Sequence, residues 1–204
     1  MKITKSVKNK SYYQIEGGTL PLTASTYVQR EADEKLYQFA SNLQSTNRVC
    51  FVLAARQTGK SSLMVRAAKR LTEENFMCVR INLHGLGIIE SENAFWLTLL
   101  HLMCQQITVP DVDLKERLHT VWRQMPELQA TVKFKDFIAQ EILGKILAKK
   151  LIIFIDEIQT LINWNLQDSF IGFIKVLCES EGQTLLEKLT FVLLGVGKPS
   201  DWIT

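Results

Sequence analysis

Residues 48–71, RVCFVLAARQTGKSSLMVRAAKRL, contain the stretch that decides the fold. The run from Arg48 to Ala54 is apolar and rich in strand-forming residues, and a polar loop follows it. From Lys60 to Leu71, apolar residues recur every three or four positions, which is typical of an amphipathic helix. The residues predicted to face inward on this helix are Leu63, Met64, Ala67, Ala68 and Leu71. We therefore predict a buried strand, a loop and a helix in direct succession.

The loop at residues 54–61, AARQTGKS, matches the pattern G-x-x-x-x-G-K-[ST] at every fixed position except the first. Ala54 stands there in place of glycine. Alanine fits this position if its φ angle is negative, whereas a left-handed turn would cost alanine about 1 kcal/mol relative to glycine. We therefore expect, at most, a local change in the geometry of the loop.

The residue types in this loop suit a nucleotide phosphate, because a tight loop before a helix points several backbone N–H groups at an anion. Gly59 permits close approach, Lys60 reaches the β- and γ-phosphates, and Ser61 places its hydroxyl on Mg²⁺. The predicted phosphate-contacting residues are Ala55, Arg56, Gln57, Thr58, Gly59, Lys60, Ser61 and Ser62.

A second stretch, LIIFIDE at residues 151–157, is an apolar strand that ends in two carboxylates. Ligands of open parallel sheets bind at the carboxyl ends of the strands. Asp156 is placed there to hold the metal and its water shell, and Glu157 to act as base or orienter for an attacking water. The predicted metal ligands are thus Ser61 and Asp156, and the predicted catalytic residues are Lys60 and Glu157.

The remaining periodic segments indicate an α/β fold with helices on both faces of a mainly parallel sheet, which is a three-layer αβα arrangement. Further strands are predicted at residues 76–83 and 189–194, and further helices at residues 30–43, 92–107, 114–125, 134–149 and 168–178. In the first of these helices the predicted inward residues are Ala32, Leu36, Phe39, Ala40 and Leu43. The helix at 92–107 is apolar nearly all round, which predicts deep burial, with Phe95, Trp96, Leu99, Leu100 and Met103 in the core. In the helix at 134–149 the predicted inward residues are Phe134, Phe137, Ile138, Ile142 and Ile146.

The composition indicates one domain at residues 12–204 after a flexible basic arm at residues 1–11. A net charge of +3 is too small to favour nucleic acid as a partner. No apolar run reaches the roughly 18–20 residues of a membrane span, and a signal peptide is not evident, so we expect a cytoplasmic protein. The four cysteines form no C-x-x-C pair and are interpreted as small core residues.

With both motifs placed, the sequence resembles the P-loop ATPases of the AAA+ and STAND groups. It looks most like the AAA-like domain near the N-terminus of bacterial multidomain signalling proteins. The segments that carry the resemblance are Gly17-Gly18, the YVQR run at 27–30 with Asp33 and Leu36, and residues 56–62, 154–158 and 193–196 with Pro199, Ser200 and Asp201.

The resemblance implies ATP or ADP as ligand, Mg²⁺ as cofactor, and strand order 1-4-3-2 with the fifth strand missing or beyond the chain end. It also places Tyr27 and Val28 beside the adenine, with Arg30 as a polar contact. The alternative is that this segment only closes the core at the start of a helix. No guanine-reading N-K-x-D motif is present, so ATP rests on the resemblance alone.

The sequence departs from the family pattern where the fourth strand ends, because residues 194–197 (LGVG) offer no polar sensor side chain. Lys198 or Ser200 is expected to approach the site from the following loop instead. Arg56 contacts phosphate or pairs with an acidic residue, and we favour the acidic partner. The chain ends before a helical lid, so we expect it to be a fragment of a longer protein.

The favoured function is an ATP-hydrolysing switch in a signalling or defence-type multidomain protein, acting through self-association or linked effector domains. One alternative is a non-hydrolysing, nucleotide-dependent scaffold or interaction module, which the missing sensor favours. A second is a DNA-remodelling AAA+ ATPase, which the mild charge disfavours. The segment of about 65 residues between the second and third strands is long for a connection and offers a partner surface, although its aromatic residues are more simply core.

Overall fold

The computed structural model of the chain describes residues 19–179, 185–198, 200 and 202. The basic arm at residues 1–11, Gly17-Gly18, Pro199 and Asp201 lie outside the described residues. The helices are α1 (Glu31–Ser41), α2 (Lys60–Glu73), α3 (Glu92–Cys104), α4 (Leu114–Gln124), α5 (Ala130–Phe137), α6 (Thr160–Asn163) and α7 (Gln167–Glu179). The strands are β1 (Val49–Leu53), β2 (Met77–Asn82), β3 (Leu151–Asp156) and β4 (Leu189–Gly195). None of the described helices is long and apolar enough to cross a membrane.

The described strands form one parallel sheet in the order β1-β4-β3-β2, which confirms the predicted order. β3 and β4 are buried along their whole length, which explains why both read as continuous apolar runs. The register aligns Leu53 with Gly195 and Asn82 with Asp156. The carboxyl ends of neighbouring strands therefore meet at one edge of the sheet.

Alternate side chains of β3 enter two separate cores. Ile152 and Phe154 pack into the cluster that α1 and α2 form on one face of the sheet. Ile153 and Ile155 pack into the larger cluster on the opposite face, to which α3, α4, α5 and α7 contribute. This alternation produces the three αβα layers predicted from the sequence.

The two edge strands differ in what covers their outer edge. At β2, the carboxamide of Gln106 accepts a hydrogen bond from the Arg80 N–H and donates one to the Arg80 carbonyl, both at 3.0 Å. At Arg80 this side chain takes the place of a neighbouring strand. β1 is half-buried at all five positions, and within the described residues its outer edge has no comparable cover.

Helix α3 lies at the centre of the larger core, as its nearly uniform apolar character predicts. All its predicted inward residues are buried: Phe95, Trp96, Leu99, Leu100 and Met103. The Trp96 ring lies 4.8 Å from the Phe134 and Phe173 rings and 5.8 Å from the Phe170 ring, measured between centroids. The long segment between β2 and β3 therefore supplies aromatic residues to the core.

Two predicted helices are wrong in part. Helix α1 ends at Ser41, and the chain becomes extended at Asn42, so Leu43 is exposed; Ala32 is exposed as well. The helix predicted at residues 134–149 begins earlier, as α5, and continues into a π-helical turn, Ile138–Leu143. It ends where the N–H of Gly144 donates to the Ala139 carbonyl, because glycine disfavours further helix. The five residues predicted to face inward on it are nevertheless all buried.

The cysteines agree with their predicted core role except at one position. Cys104 is buried, Cys50 and Cys78 are half-buried, and Cys178 on α7 is exposed. Burial raises the pKa of Cys78 to about 11 and that of Cys104 to about 12. Both side chains are therefore protonated thiols at neutral pH and behave as small apolar residues.

Replacing Trp96 with alanine is expected to lower the free energy of unfolding by about 3–5 kcal/mol, because the ring fills the centre of an aromatic cluster. The matched control is Ile88→Ala, since Ile88 is 88% exposed and its replacement should change this free energy by less than about 0.5 kcal/mol. Urea denaturation measures both. Equal effects of the two substitutions would contradict the assigned core.

Candidate functional site

The predicted phosphate loop forms the turn between β1 and α2. Gly59 precedes α2 with a φ of 84°, a left-handed conformation that glycine adopts without a Cβ clash. Ala54 lies outside the positive-φ region, and its N–H donates to the Gly195 carbonyl at 3.2 Å. Alanine at the first position of the motif therefore extends the β1-β4 pairing without backbone strain.

The start of α2 presents backbone N–H groups that are free to bind a ligand. Within the described residues, the N–H groups of Gly59, Lys60, Ser61 and Ser62 donate to no acceptor. Such groups, together with the positive end of the helix dipole, favour an anion. The chemistry of this turn therefore fits a phosphate group.

The side chain of Lys60 lies against the loop that precedes it. Its Nζ donates to the carbonyls of Ala54 at 3.0 Å and Ala55 at 2.8 Å, and the residue is only 8% exposed. An ammonium group held in this way can exchange its carbonyl partners for phosphate oxygens through a change in the side-chain torsions.

The hydroxyl of Ser61 and the carboxylate of Asp156 are in direct contact. Ser61 Oγ donates to Asp156 Oδ2 at 2.6 Å, although the two residues are 95 positions apart. Asp156 is 1% exposed, and its other oxygen accepts the N–H of Glu157 at 2.9 Å. A hydroxyl and a carboxylate are the hard oxygen ligands that Mg²⁺ prefers. The fold therefore brings the two predicted metal ligands together.

Glu157 follows β3 in an unusual backbone conformation. Its φ is 59°, a left-handed value that costs a residue with a Cβ roughly 1–2 kcal/mol. Its Oε2 accepts a hydrogen bond from Nε2 of Gln159, and Oε1 of Gln159 accepts the N–H of Val196 at 3.1 Å. Gln159 thus links the predicted catalytic carboxylate to the end of β4.

Gly195 makes room for this link. A Cβ atom on residue 195 would lie 2.6 Å from Cγ1 of Ile158 and 2.9 Å from Oε1 of Gln159. Ile158 is fully buried, and its N–H donates to the Leu194 carbonyl at 3.0 Å, so it has little freedom to move. The absence of a polar side chain at this end of β4 therefore has a steric reason.

The segment before α1 contacts the phosphate loop through Arg30. The guanidinium group of Arg30 donates to the carbonyls of Thr58 at 2.7 Å and Gly59 at 3.3 Å. Val28, the predicted adenine neighbour, is 76% exposed. The structure thus places Arg30 on the loop itself and leaves Val28 open to contact from outside.

Tyr27 is held between polar partners on α1 and α2. Its hydroxyl donates to Asp33, and the Arg66 guanidinium carbon lies 3.8 Å from the centre of its ring. Burial, together with the hydrogen bond to Asp33, raises the pKa of Tyr27. Arg66 also donates to the carbonyls of residues 21 and 22, which fastens this N-terminal segment to α2.

The other predicted site residues fall into two groups. Ala55, Arg56, Gln57 and Thr58 are exposed along the loop, and Lys198 and Ser200 are exposed beyond β4. Arg56 forms no ion pair with any residue that the structure describes, so the preferred interpretation of an acidic partner is not supported. Ser62 is buried, and its hydroxyl accepts a hydrogen bond from the N–H of Leu20 at 3.0 Å. This hydroxyl is thus engaged with the N-terminal segment, whereas the sequence predicted that Ser62 contacts phosphate.

Sequence reasoning did not assign Gln159, Gly195 or Arg66 to the site. Gln159 follows the Asp-Glu pair by two residues, but spacing alone does not separate it from an ordinary surface glutamine. Gly195 entered the sequence analysis only as part of a segment without a polar sensor side chain. A glycine at the end of a fully buried strand was the available signal, since such a residue often marks a close approach.

Replacing Gly195 with alanine is expected to lower the free energy of unfolding by about 1–3 kcal/mol, because the new methyl group overpacks against Ile158. Gly172→Ala on α7 is the control, since a Cβ there meets nothing within 4 Å. That helical substitution should raise stability by about 0.4–1 kcal/mol. Thermal and urea denaturation measure both, and an unchanged or more stable G195A protein would contradict the close packing.

The model of the AAA-like domain family matches residues 15–196 of this chain. An uncharacterised WD repeat-containing protein of Synechocystis sp. is 34% identical over 198 residues, which cover 94% of this chain but only 16% of that protein. The Aeropyrum pernix ORC2 protein, solved as ADPNP-ADP complexes, has a TM-score of 0.55 at 16% identity, and the match covers 83% of this chain and 41% of that one. At this identity the likeness to ORC2 shows a shared fold alone. The chain belongs to the AAA-like domain family and has the fold of P-loop ATPases.

Proposed function

We propose that this chain is a Mg²⁺-dependent ATP-binding and ATP-hydrolysing switch domain of a larger protein. The observation that carries the proposal is the 2.6 Å contact between Ser61 Oγ and Asp156 Oδ2 beside a free helix N-terminus. It joins the first turn of α2 to the end of β3, which supports the proposal that these two segments form one nucleotide site.

Phosphate binding is assigned to the loop and to the first turn of α2. The N–H groups of Gly59, Lys60 and Ser61 would donate to phosphate oxygens, and Lys60 would exchange the Ala54 and Ala55 carbonyls for the β- and γ-phosphates. A buried ammonium group gains more from a phosphate dianion than from neutral carbonyls, since hydrogen bonds between two charged groups are the stronger ones. This exchange favours the bound state.

Ser61 and Asp156 fit Mg²⁺ as a direct ligand and as a holder of its water shell, respectively. The bound ion supplies positive charge that neutralises the β- and γ-oxygens. Ser61 and Asp156 keep their oxygens in place for this role, because each is anchored by the end of a regular element. Asp156 also retains the N–H of Glu157 as a partner, which fixes the plane of its carboxylate.

Glu157 is the proposed base for the attacking water. Water attacks the γ-phosphorus, the bond to the ADP oxygen breaks, and the proton of the water passes to the Glu157 carboxylate, giving ADP and inorganic phosphate. The backbone strain at Glu157 supports a functional role, because such conformations concentrate at active sites.

ATP is the proposed nucleotide, with Tyr27, Val28 and Arg30 beside the base. Arg30 supports this placement because its contacts with Thr58 and Gly59 hold the segment against the phosphate loop. The exposed Val28 side chain offers an apolar surface to a purine ring. The preference for adenine over guanine rests on the family.

The switch role is proposed because the Synechocystis relative is much longer than this chain. The chain spans 16% of the Synechocystis protein, whose name records WD repeats. A nucleotide domain joined to repeats of this kind suits signalling or defence, in which nucleotide state changes the association with linked domains or with another copy.

A non-hydrolysing, nucleotide-dependent interaction module is the second candidate. The bond from Gln159 to Glu157 favours it, because that carboxylate is already engaged. The missing polar side chain at residues 195–197 favours it as well. Nucleotide binding is common to both candidates, and turnover separates them.

ATP with Mg²⁺ is expected to raise the melting temperature more than GTP with Mg²⁺. At a hundred times its dissociation constant, bound ATP should add about 2.7 kcal/mol to the free energy of unfolding. Lys60→Ala should abolish the rise because it removes the charge that meets the phosphates. Lys69→Ala, also on α2 but 55% exposed, is the matched control and should leave the rise unchanged. The absence of any nucleotide-dependent shift in the wild-type protein would refute the binding site.

The wild-type protein is expected to release phosphate from ATP faster than the Lys60→Ala variant. Glu157→Gln should reduce release by about 100-fold or to background, since a positioned base contributes at least that much, while nucleotide binding persists. A malachite-green assay measures release and isothermal calorimetry measures binding. Equal release by all three proteins, with nucleotide binding intact in the wild-type and Glu157→Gln proteins, would favour the non-hydrolysing module.

A further inference from the structure

The side chain of Gln159 forms a bridge with only one chemically allowed orientation. The N–H of Val196 is a donor, so the group that faces it must be the amide oxygen of Gln159. The amide nitrogen then points at the Glu157 carboxylate, which can only accept while it is ionised. Chemistry therefore fixes the direction of both hydrogen bonds, from Val196 through Gln159 to Glu157.

This bridge engages the carboxylate that is the proposed base for the attacking water. A hydrogen bond to an ionised carboxylate is stronger than one between neutral groups, so Glu157 is held firmly. The left-handed backbone at Glu157 and the close approach of Gly195 to Gln159 restrict the turn further. The two hydrogen bonds of the Gln159 amide thus hold the turn after β3 against the end of β4.

We propose that Gln159 is a positioning residue that restrains Glu157 and holds the site in a low-turnover state. Release of the bridge at Val196 frees the carboxylate of Glu157 to orient water. This inference rests on the proposed function, since Glu157 acts on water only in an ATP-hydrolysing site. It also accounts for the absent polar side chain on β4, because Gln159 reaches that position from the turn that follows β3.

The bridge makes the end of β4 part of the control of turnover. Val196 is the first residue after β4, so a displacement of this strand end by a ligand, or by the chain that follows, breaks the bond to Gln159. Gly195 permits the bridge, because a Cβ atom on this residue would lie 2.9 Å from Oε1 of Gln159. The pose of Glu157 and the position of residues 195–197 therefore change together.

The test compares phosphate release and nucleotide affinity in the wild-type protein and in Gln159→Met. Methionine keeps the length and volume of glutamine but forms neither hydrogen bond. We expect turnover to rise about tenfold, equivalent to about 1.4 kcal/mol and typical of one lost hydrogen bond to a charged group, with an unchanged dissociation constant. Asn163→Ala is the control. It removes an exposed amide from α6, the helix that begins directly after Gln159, and should change neither quantity.

A double variant, Glu157→Gln with Gln159→Met, shows whether the rise passes through Glu157. Its turnover should fall to that of Glu157→Gln alone, because freeing a group that cannot act as a base gains nothing. If Gln159→Met folds poorly, Gln159→Glu serves in its place: its carboxylate keeps an acceptor for the Val196 N–H but repels Glu157, so the same rise is expected.

Turnover of Gln159→Met at or below the wild-type rate would overturn the restraint, and so would a rise that survives in the double variant. The proposed function is judged separately, by comparing wild type with Lys60→Ala. Wild-type turnover at the Lys60→Ala level, with a higher rate in Gln159→Met, would reject hydrolysis in the resting chain and support the restraint. Turnover at that level in all variants would reject both.

Discussion

The whole arrangement depends on the burial of β3 and β4 on both of their faces. A parallel strand with apolar side chains on each side must be covered twice, so helices are required above and below it. Phe154 and Ile155 are adjacent in sequence, yet they enter different cores. Once both faces are covered, polar groups that bind a ligand are left to the loops that follow the strand ends. The carboxyl ends are therefore where Asp156, Glu157 and Gly195 meet the phosphate loop.

Most of the fold could be predicted because its signals are local. The apolar run at residues 151–155 and the periodicity of α2 and α3 each determine one element without reference to the rest of the chain. The errors arose where local signals were weak. Leu43 continues the helical periodicity of α1, but the backbone leaves the helix at Asn42. Gly144 ends the π-helical turn at a point that apolar spacing alone does not mark.

The site could be predicted in its parts but not in its connections. The Gly-Lys-Ser sequence and the Asp-Glu pair point to Lys60, Ser61, Asp156 and Glu157 as candidates, because each residue type suits one chemical task. Partners remote in sequence are invisible to such reasoning. The bonds from Arg30 to the loop and from Gln159 to Val196 depend on how segments 28 and 37 positions apart are packed.

The unequal edges of the sheet have a consequence for how the domain behaves among other proteins. At β2 the Gln106 side chain satisfies both backbone groups of Arg80, so a foreign strand finds this residue already paired. β1 carries the sequence VCFVL, with no lysine, proline or charged residue to discourage a new neighbour. Uncovered edges of this kind are templates for strand addition. Among the residues that the structure describes, β1 is therefore the edge at which a further strand finds backbone groups to pair with.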